Sequence, residues 1–146
     1  MTALARAVRA AGADAVVMVG RHMGFLPDPE TRRPVLGTFG GVSGAWALPL
    51  ALRWVAKTRA ELGAEVPLVG TNGARDGLDV ARFLLAGASA VQVATSVIVE
   101  GFGALTRMLE ELAGYLGNQG VSAREIVGEA ADAVLTYEEA AVRSSR

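Results

Sequence analysis

Hydrophobic positions along the chain follow two periods that alternate. In residues 2–11, "TALARAVRAA", Leu4 and Val8 share one helical face, Thr2 stands where an N-cap would, and Gly12 ends the pattern. "ADAVVMVG" then runs apolar without alternation, as a strand buried on both faces would, which predicts a strand over 16–19. The next stretch, residues 21–45, is punctuated by proline and glycine and predicts one long irregular segment. Good helix formers fill 46–62, with Pro49 tolerable only near the first turn and Gly63 as the stop. Trp46 and Trp54 fall eight positions apart on that helix, a spacing that means packing. "VPLVG" gives a second strand, 67–70. A helix over 77–86 follows, with Asp76 as N-cap and Asp79 in the first turn. "SAVQVATS" gives a third strand, 90–94. A long helix over 103–116 comes next, and "SARE" at 122–125 has the capping-box spacing of a short terminal helix. Residues 142–146 read as frayed.

Short, unalternating strands separated by helices predict an α/β fold with parallel pairing. The handedness rule places the helices on one side, with an open sheet edge at 16–19 or 90–94. The 146 residues suit one domain. Hydrophobic residues make up 51% and the mean hydropathy is +0.35, apolar for a chain with no run long enough to span a bilayer. The excess is therefore expected in a core or on a surface that a partner covers. No signal-peptide pattern opens the sequence, so a cytoplasmic location is expected. A formal charge of −1 with interspersed signs gives no footprint for nucleic acid. The absence of cysteine excludes disulfides and thiolate chemistry, and the single histidine, His22, argues against a histidine metal site.

The chemistry concentrates in "GTNGARDG", residues 70–77, where an apolar strand runs into three glycines before a helix. Ligands of parallel α/β folds sit at the carboxyl ends of strands, and glycine there admits a ligand to backbone N–H groups. "ATS" at 94–96 ends the next strand in the same way, so the two loops should lie side by side as a nest for one phosphate. No Gly-Lys-Ser/Thr follows, so this is no Walker loop, and the spacing is not that of G-x-G-x-x-G. The plainer alternative is that the glycines only make turns. Arg75 is read first as a solvated loop arginine, and Glu110 and Glu111 as solvent-facing.

"GGVSGAWALPLALRWV", "VPLVGTNGARDGLDVARFLLAGASAVQVATS" and "VSAREIVG" resemble the C-terminal half of the dihydroorotate dehydrogenase family, FMN-dependent (β/α)8 TIM barrels. The resemblance covers nearly the whole chain. It implies that residues 1–146 run from the helix before the sixth barrel strand onward. It also implies a flavin oxidoreductase acting on CH–CH bonds of a small molecule in pyrimidine metabolism. The phosphate of FMN would be held by backbone N–H groups at Ser43 and Gly44, Asn72 and Gly73, and Ala94 and Thr95. Glycine is usual in the family at the positions of Asn72 and Ala94, but both residues keep a backbone N–H.

The family's catalytic Cys or Ser base lies on a loop between earlier strands, so no catalytic residue is expected here. The missing N-terminal barrel half, or another chain, would supply it. At the sixth-strand end the family often has Asn-Thr, with the asparagine on the pyrimidine. Here Gly20, Arg21 and His22 stand instead, which points away from dihydroorotate itself. Arg21 and His22 are candidates for anion or substrate recognition, weighed evenly against a loop pair bonded to neighbouring carbonyls. The alternative function is a non-catalytic or split-enzyme half-barrel subunit that binds a flavin or another phosphate ligand.

Overall fold

The computed structural model describes residues 1–144. Helix α1 (Thr2–Ala10) leads into strand β1 (Val16–Met18). Four short strands follow, β2 (His22–Gly24), β3 (Pro27–Asp28), β4 (Arg33–Pro34) and β5 (Gly40–Val42). A 3-10 turn at Ala45–Ala47 opens into α2 (Leu48–Leu62), then β6 (Leu68–Thr71), α3 (Gly77–Leu85) and β7 (Ala90–Gln92). The chain continues through α4 (Thr95–Glu100), α5 (Gly103–Gln119), α6 (Glu129–Asp132) and α7 (Tyr137–Ser144).

The expected three strands form one parallel sheet in the order β1-β6-β7, with Val16 opposite Leu68 and Val69 opposite Ala90. Both β1 and β7 are edges. Side chains alternate across a strand, so Val16, Met18 and Leu68 point one way, into a core with Ala51, Val55 and Phe83. Val17, Val69 and Ala90 share the other face. Val17 is 53% exposed there. The expectation that the first strand is buried on both faces is thus corrected: helices cover one face, and among the described residues nothing covers the other.

The irregular segment carries more order than expected. Residues 22–24 pair antiparallel with 40–42, and 27–28 with 33–34, making a double hairpin above the end of β1. These strands are too short and too rich in glycine and proline to show a period. Trp46 lies in the 3-10 turn before α2 and is exposed, while Trp54 on α2 packs against the core. Helix α4 was hidden in sequence because "SVIV" reads as a strand's tail. Ser122 and Glu125 exchange capping-box hydrogen bonds, but they close turns, and the helix begins only at Glu129. The Gly128 N–H donates to the Leu84 carbonyl instead and draws the chain onto α3. Of the stretch expected to fray, 142–144 is the last turn of α7, and Ser145 and Arg146 lie outside the described residues.

Ion pairs fasten helices to one another, Arg107 of α5 to Glu100 of α4 among them. Arg6 of α1 pairs with Glu61 of α2. Arg59 of α2 grips Asp132 of α6 in a fork, Nε to Oδ1 at 2.9 Å and Nη2 to Oδ2 at 2.8 Å. The Arg59 hydrogen bonds hold the Asp132 carboxyl below its ordinary value of 3.8. A depressed folded value stabilises fully above the unfolded one and is lost as pH falls through the folded one. Asp132→Asn is therefore expected to be less stable than wild type at neutral pH, with the gap closing below pH 3.8. Urea midpoints across that range check it.

Candidate functional site

The carboxyl ends of β1, β6 and β7 carry four loops that meet around one cavity of about 210 Å³. Arg21 follows β1. Ser43, Gly44 and Ala45 join β5 to α2. Thr71, Asn72, Gly73 and Arg75 follow β6, and Gln92, Ala94 and Thr95 close the far side. All six residues expected at a phosphate, Ser43, Gly44, Asn72, Gly73, Ala94 and Thr95, line this one space. Arg21 lines it too, but His22 does not. His22 packs its ring 5.4 Å from Trp46, with Nε2 buried and without a hydrogen-bond partner. Thr71 and Gln92, missed in sequence, enter the lining because they share the uncovered face of the sheet.

Hydrogen bonds tie these loops to each other. Asn72 adopts a left-handed backbone, φ 77°, and its side chain is buried. Its Nδ2 donates to the Gly20 carbonyl at 3.1 Å, and its Oδ1 accepts the Gly44 N–H at 3.2 Å. One carboxamide thus joins the loops after β1, β5 and β6. Ser43 and Thr95 hydroxyls lie 3.2 Å apart, and Ser96 donates to the Ala74 carbonyl at 3.0 Å. The side chain of Asn72 is a clamp, where sequence reading had credited only its backbone. The Gly44 N–H is already engaged by that clamp.

The glycines of the octet have neighbours of their own. A Cβ at Gly70 would strike the Phe83 ring. At Gly73, φ 111°, it would lie 2.7 Å from both N and Cα of Leu48. At Gly77 it would lie 2.6 Å from the Met108 carbonyl of α5. Each glycine lets part of the core close. Gly44, φ 125°, differs, since its missing Cβ would meet only the Trp46 ring, at 3.9 Å.

The helix after the octet is built as expected and more tightly. Asp76 caps it, accepting the Asp79 N–H at 2.8 Å. Asp79 is fully buried and takes Arg82 Nη1 at 2.6 Å and the Arg75 N–H at 3.0 Å. Arg75 Nε reaches the same carboxylate at 3.3 Å, while the side chain stays mostly exposed, as a solvated loop arginine would. Glu111 is no bystander: it accepts the Gly77 N–H at 2.7 Å and pairs with Arg107. Both contacts hold its carboxyl below the ordinary range, the Gly77 N–H foremost. Its partner lies 34 positions away in sequence, beyond any local pattern. The cavity lining holds two arginines and no carboxylate. Among the described residues no cluster of His, Asp and Glu could hold a metal ion.

Parallel strands joined through helices, with the cavity at their carboxyl ends, define part of a (β/α)8 barrel, the architecture that carries its sites in these loops. The sequence model described as dihydroorotate dehydrogenase matches residues 2–116, and the chain belongs to that family. It is 40% identical over 130 residues to the catalytic subunit of dihydroorotate dehydrogenase B (NAD(+)) of Porphyromonas gingivalis, covering 88% of this chain and 41% of that protein. It is 37% identical over 127 residues to the corresponding subunit of Pyrococcus abyssi, covering 86% of this chain and 42% of the relative. The fold superposes on the dihydroorotate dehydrogenase of Eimeria tenella, solved in complex with ferulenol, with a TM-score of 0.73 and 25% identity. That match covers 88% of this chain and 34% of the other. The chain thus spans about two fifths of the length of the curated relatives it matches.

Proposed function

We propose that this chain forms the FMN phosphate-binding part of a dihydroorotate dehydrogenase-like flavin oxidoreductase acting on a CH–CH bond of a small molecule. The observation that carries this is the convergence of four loops on one cavity lined largely by small residues and two arginines, with no carboxylate. The space lies below the range of about 300–1,000 Å³ typical of whole-ligand pockets, so it suits one end of a ligand. A phosphate fits that end. The Ser43 and Thr95 hydroxyls stand together there, and the first N–H groups of α4 have no partner inside that helix. Gly44 gives the ligand room, and Asn72 and Gly73 set the loop that faces it. Ala94 brings the chain into α4. A bound flavin would supply hydride exchange at its ring. This chain's part is to hold the phosphate and so orient that ring.

The ring needs further walls. The uncovered sheet face of Val17, Val69 and Ala90 and the two open strand edges support a covering partner, the remaining strands of the barrel. In this reading residues 1–146 correspond to the barrel from the helix before its sixth strand onward, in a cytoplasmic enzyme. The same open edges favour a second reading, a split-enzyme or non-catalytic half-barrel subunit whose other half is a separate chain. Arg21, at the cavity, is the candidate for anion or substrate recognition. His22, against Trp46, is a candidate only for the wall beyond it.

The isolated 146 residues are expected to retain FMN weakly and to show no turnover, because the ring would stay in water. Adding the N-terminal half of a family member, fused or in trans, should restore flavin binding first and turnover second. Absorbance of the purified protein reads the first and substrate-dependent bleaching the second. Stoichiometric FMN with bleaching on the isolated chain would overturn the need for a covering half.

A further inference from the structure

Arg21 is the cavity arginine without a carboxylate partner among the described residues. The other, Arg75, reaches the buried Asp79 only through its Nε, at 3.3 Å, and its side chain stays mostly exposed. Among the described residues no carboxylate pairs with Arg21 and no hydrogen bond engages it. Its position is nevertheless set. The side chain lies across Gly41 of β5, where a Cβ would come within 2.9 Å of Nε and closer to Cδ. The pairing of β2 with β5, His22 opposite Val42, brings Gly41 there. The hairpin thus lays the arginine against the cavity shared by Ser43, Gly73 and Thr95.

We propose that Arg21 makes this cavity selective for a phosphorylated flavin over its unphosphorylated form. The planar guanidinium offers two parallel N–H donors to two phosphate oxygens, and no carboxylate in the lining competes for it. The proposal rests on the cavity being a flavin-phosphate site. It goes beyond that reading by placing a charged side chain where backbone N–H groups alone were expected, and by giving Arg21 to the phosphate and not to the substrate. Gly41 becomes a positioning residue, because it acts only by leaving room for the stem of Arg21.

The test is a titration of the ¹⁵N-labelled full chain with FMN and with riboflavin, followed by backbone amide shifts, which report weak binding without turnover. In the wild type, FMN should shift Gly73, Ala94 and Thr95 and bind at least about tenfold more tightly than riboflavin. Arg21→Gln should lose about tenfold for FMN and nothing for riboflavin, and Arg21→Lys should recover part of it. Added salt should weaken FMN binding more in wild type than in Arg21→Gln. Gly41→Val, which keeps the arginine but displaces it, should mimic Arg21→Gln. Dispersed spectra verify the fold of each variant. If wild type prefers FMN and Arg21→Gln prefers it equally, the role given to Arg21 is wrong while the cavity reading stands. If wild type shows no preference for FMN, or no shift at the cavity, the cavity reading itself fails.

Discussion

Gly73→Ala is expected to lower the thermal midpoint by roughly 10 °C. Two costs combine. The left-handed backbone, φ 111°, strains any residue with a Cβ by about 1–2 kcal/mol. The added methyl also meets the N and Cα of Leu48 at 2.7 Å, and backbone at the start of a helix cannot rotate away as a side chain can. Overpacking of that kind costs about 1–3 kcal/mol. Gly44→Ala is the control. It has a similar backbone angle but only the Trp46 ring, at an ordinary contact distance of 3.9 Å, ahead of the methyl, so it should incur the strain alone. Equal thermal midpoints for the two variants would show that the approach to Leu48 is not what demands glycine at 73.

Asn72→Ala is expected to cost about 2–4 kcal/mol and to loosen three loops together. Removing the carboxamide leaves the Gly20 carbonyl and the Gly44 N–H without their partners, each in a part-buried setting. Unmade hydrogen bonds of this kind cost about 1–3 kcal/mol apiece. Alanine also resists φ 77°. Asn72→Gly separates the two effects, because glycine accepts the backbone angle but cannot clamp. It should retain most of the loss if the clamp dominates. The urea midpoint measures stability, and hydrogen exchange at the Gly44 amide measures the loop. Protection of that amide unchanged in Asn72→Gly would rule out the clamp.

The sheet was legible because its signals are local. Gly12 and Gly63 announced helix stops ahead of the first two strand runs, and Asp76 announced the helix start that follows the second. Asn72, Gly73, Ala94 and Thr95 were legible as a group because parallel pairing of 67–70 with 90–94 places strand ends side by side, whereas Ser43 and Gly44 came only from the family resemblance. What stayed hidden depends on distant partners. The hairpin of β2 and β5 pairs Met23 with Gly41, across a stretch whose residues favour no period. The Asn72 clamp reaches 52 positions back to Gly20, and Glu111 reaches 34 back to Gly77. No spacing rule connects such residues, and only the packed core brings them together.

The close approaches at Gly70, Gly73 and Gly77 also bear on how descent would be recorded in this family. Selection for a closed core is enough to keep those three glycines, since the Phe83 ring, the Leu48 backbone and the α5 backbone press on them whatever the loops bind. A lineage that abandoned its ligand would go on displaying the octet as a fossil of packing. Gly44 stands outside that protection: a methyl there meets only the Trp46 ring, at ordinary contact distance, and costs only backbone strain. Drift at Gly44 against a constant octet would therefore be the earliest mark of a lost ligand.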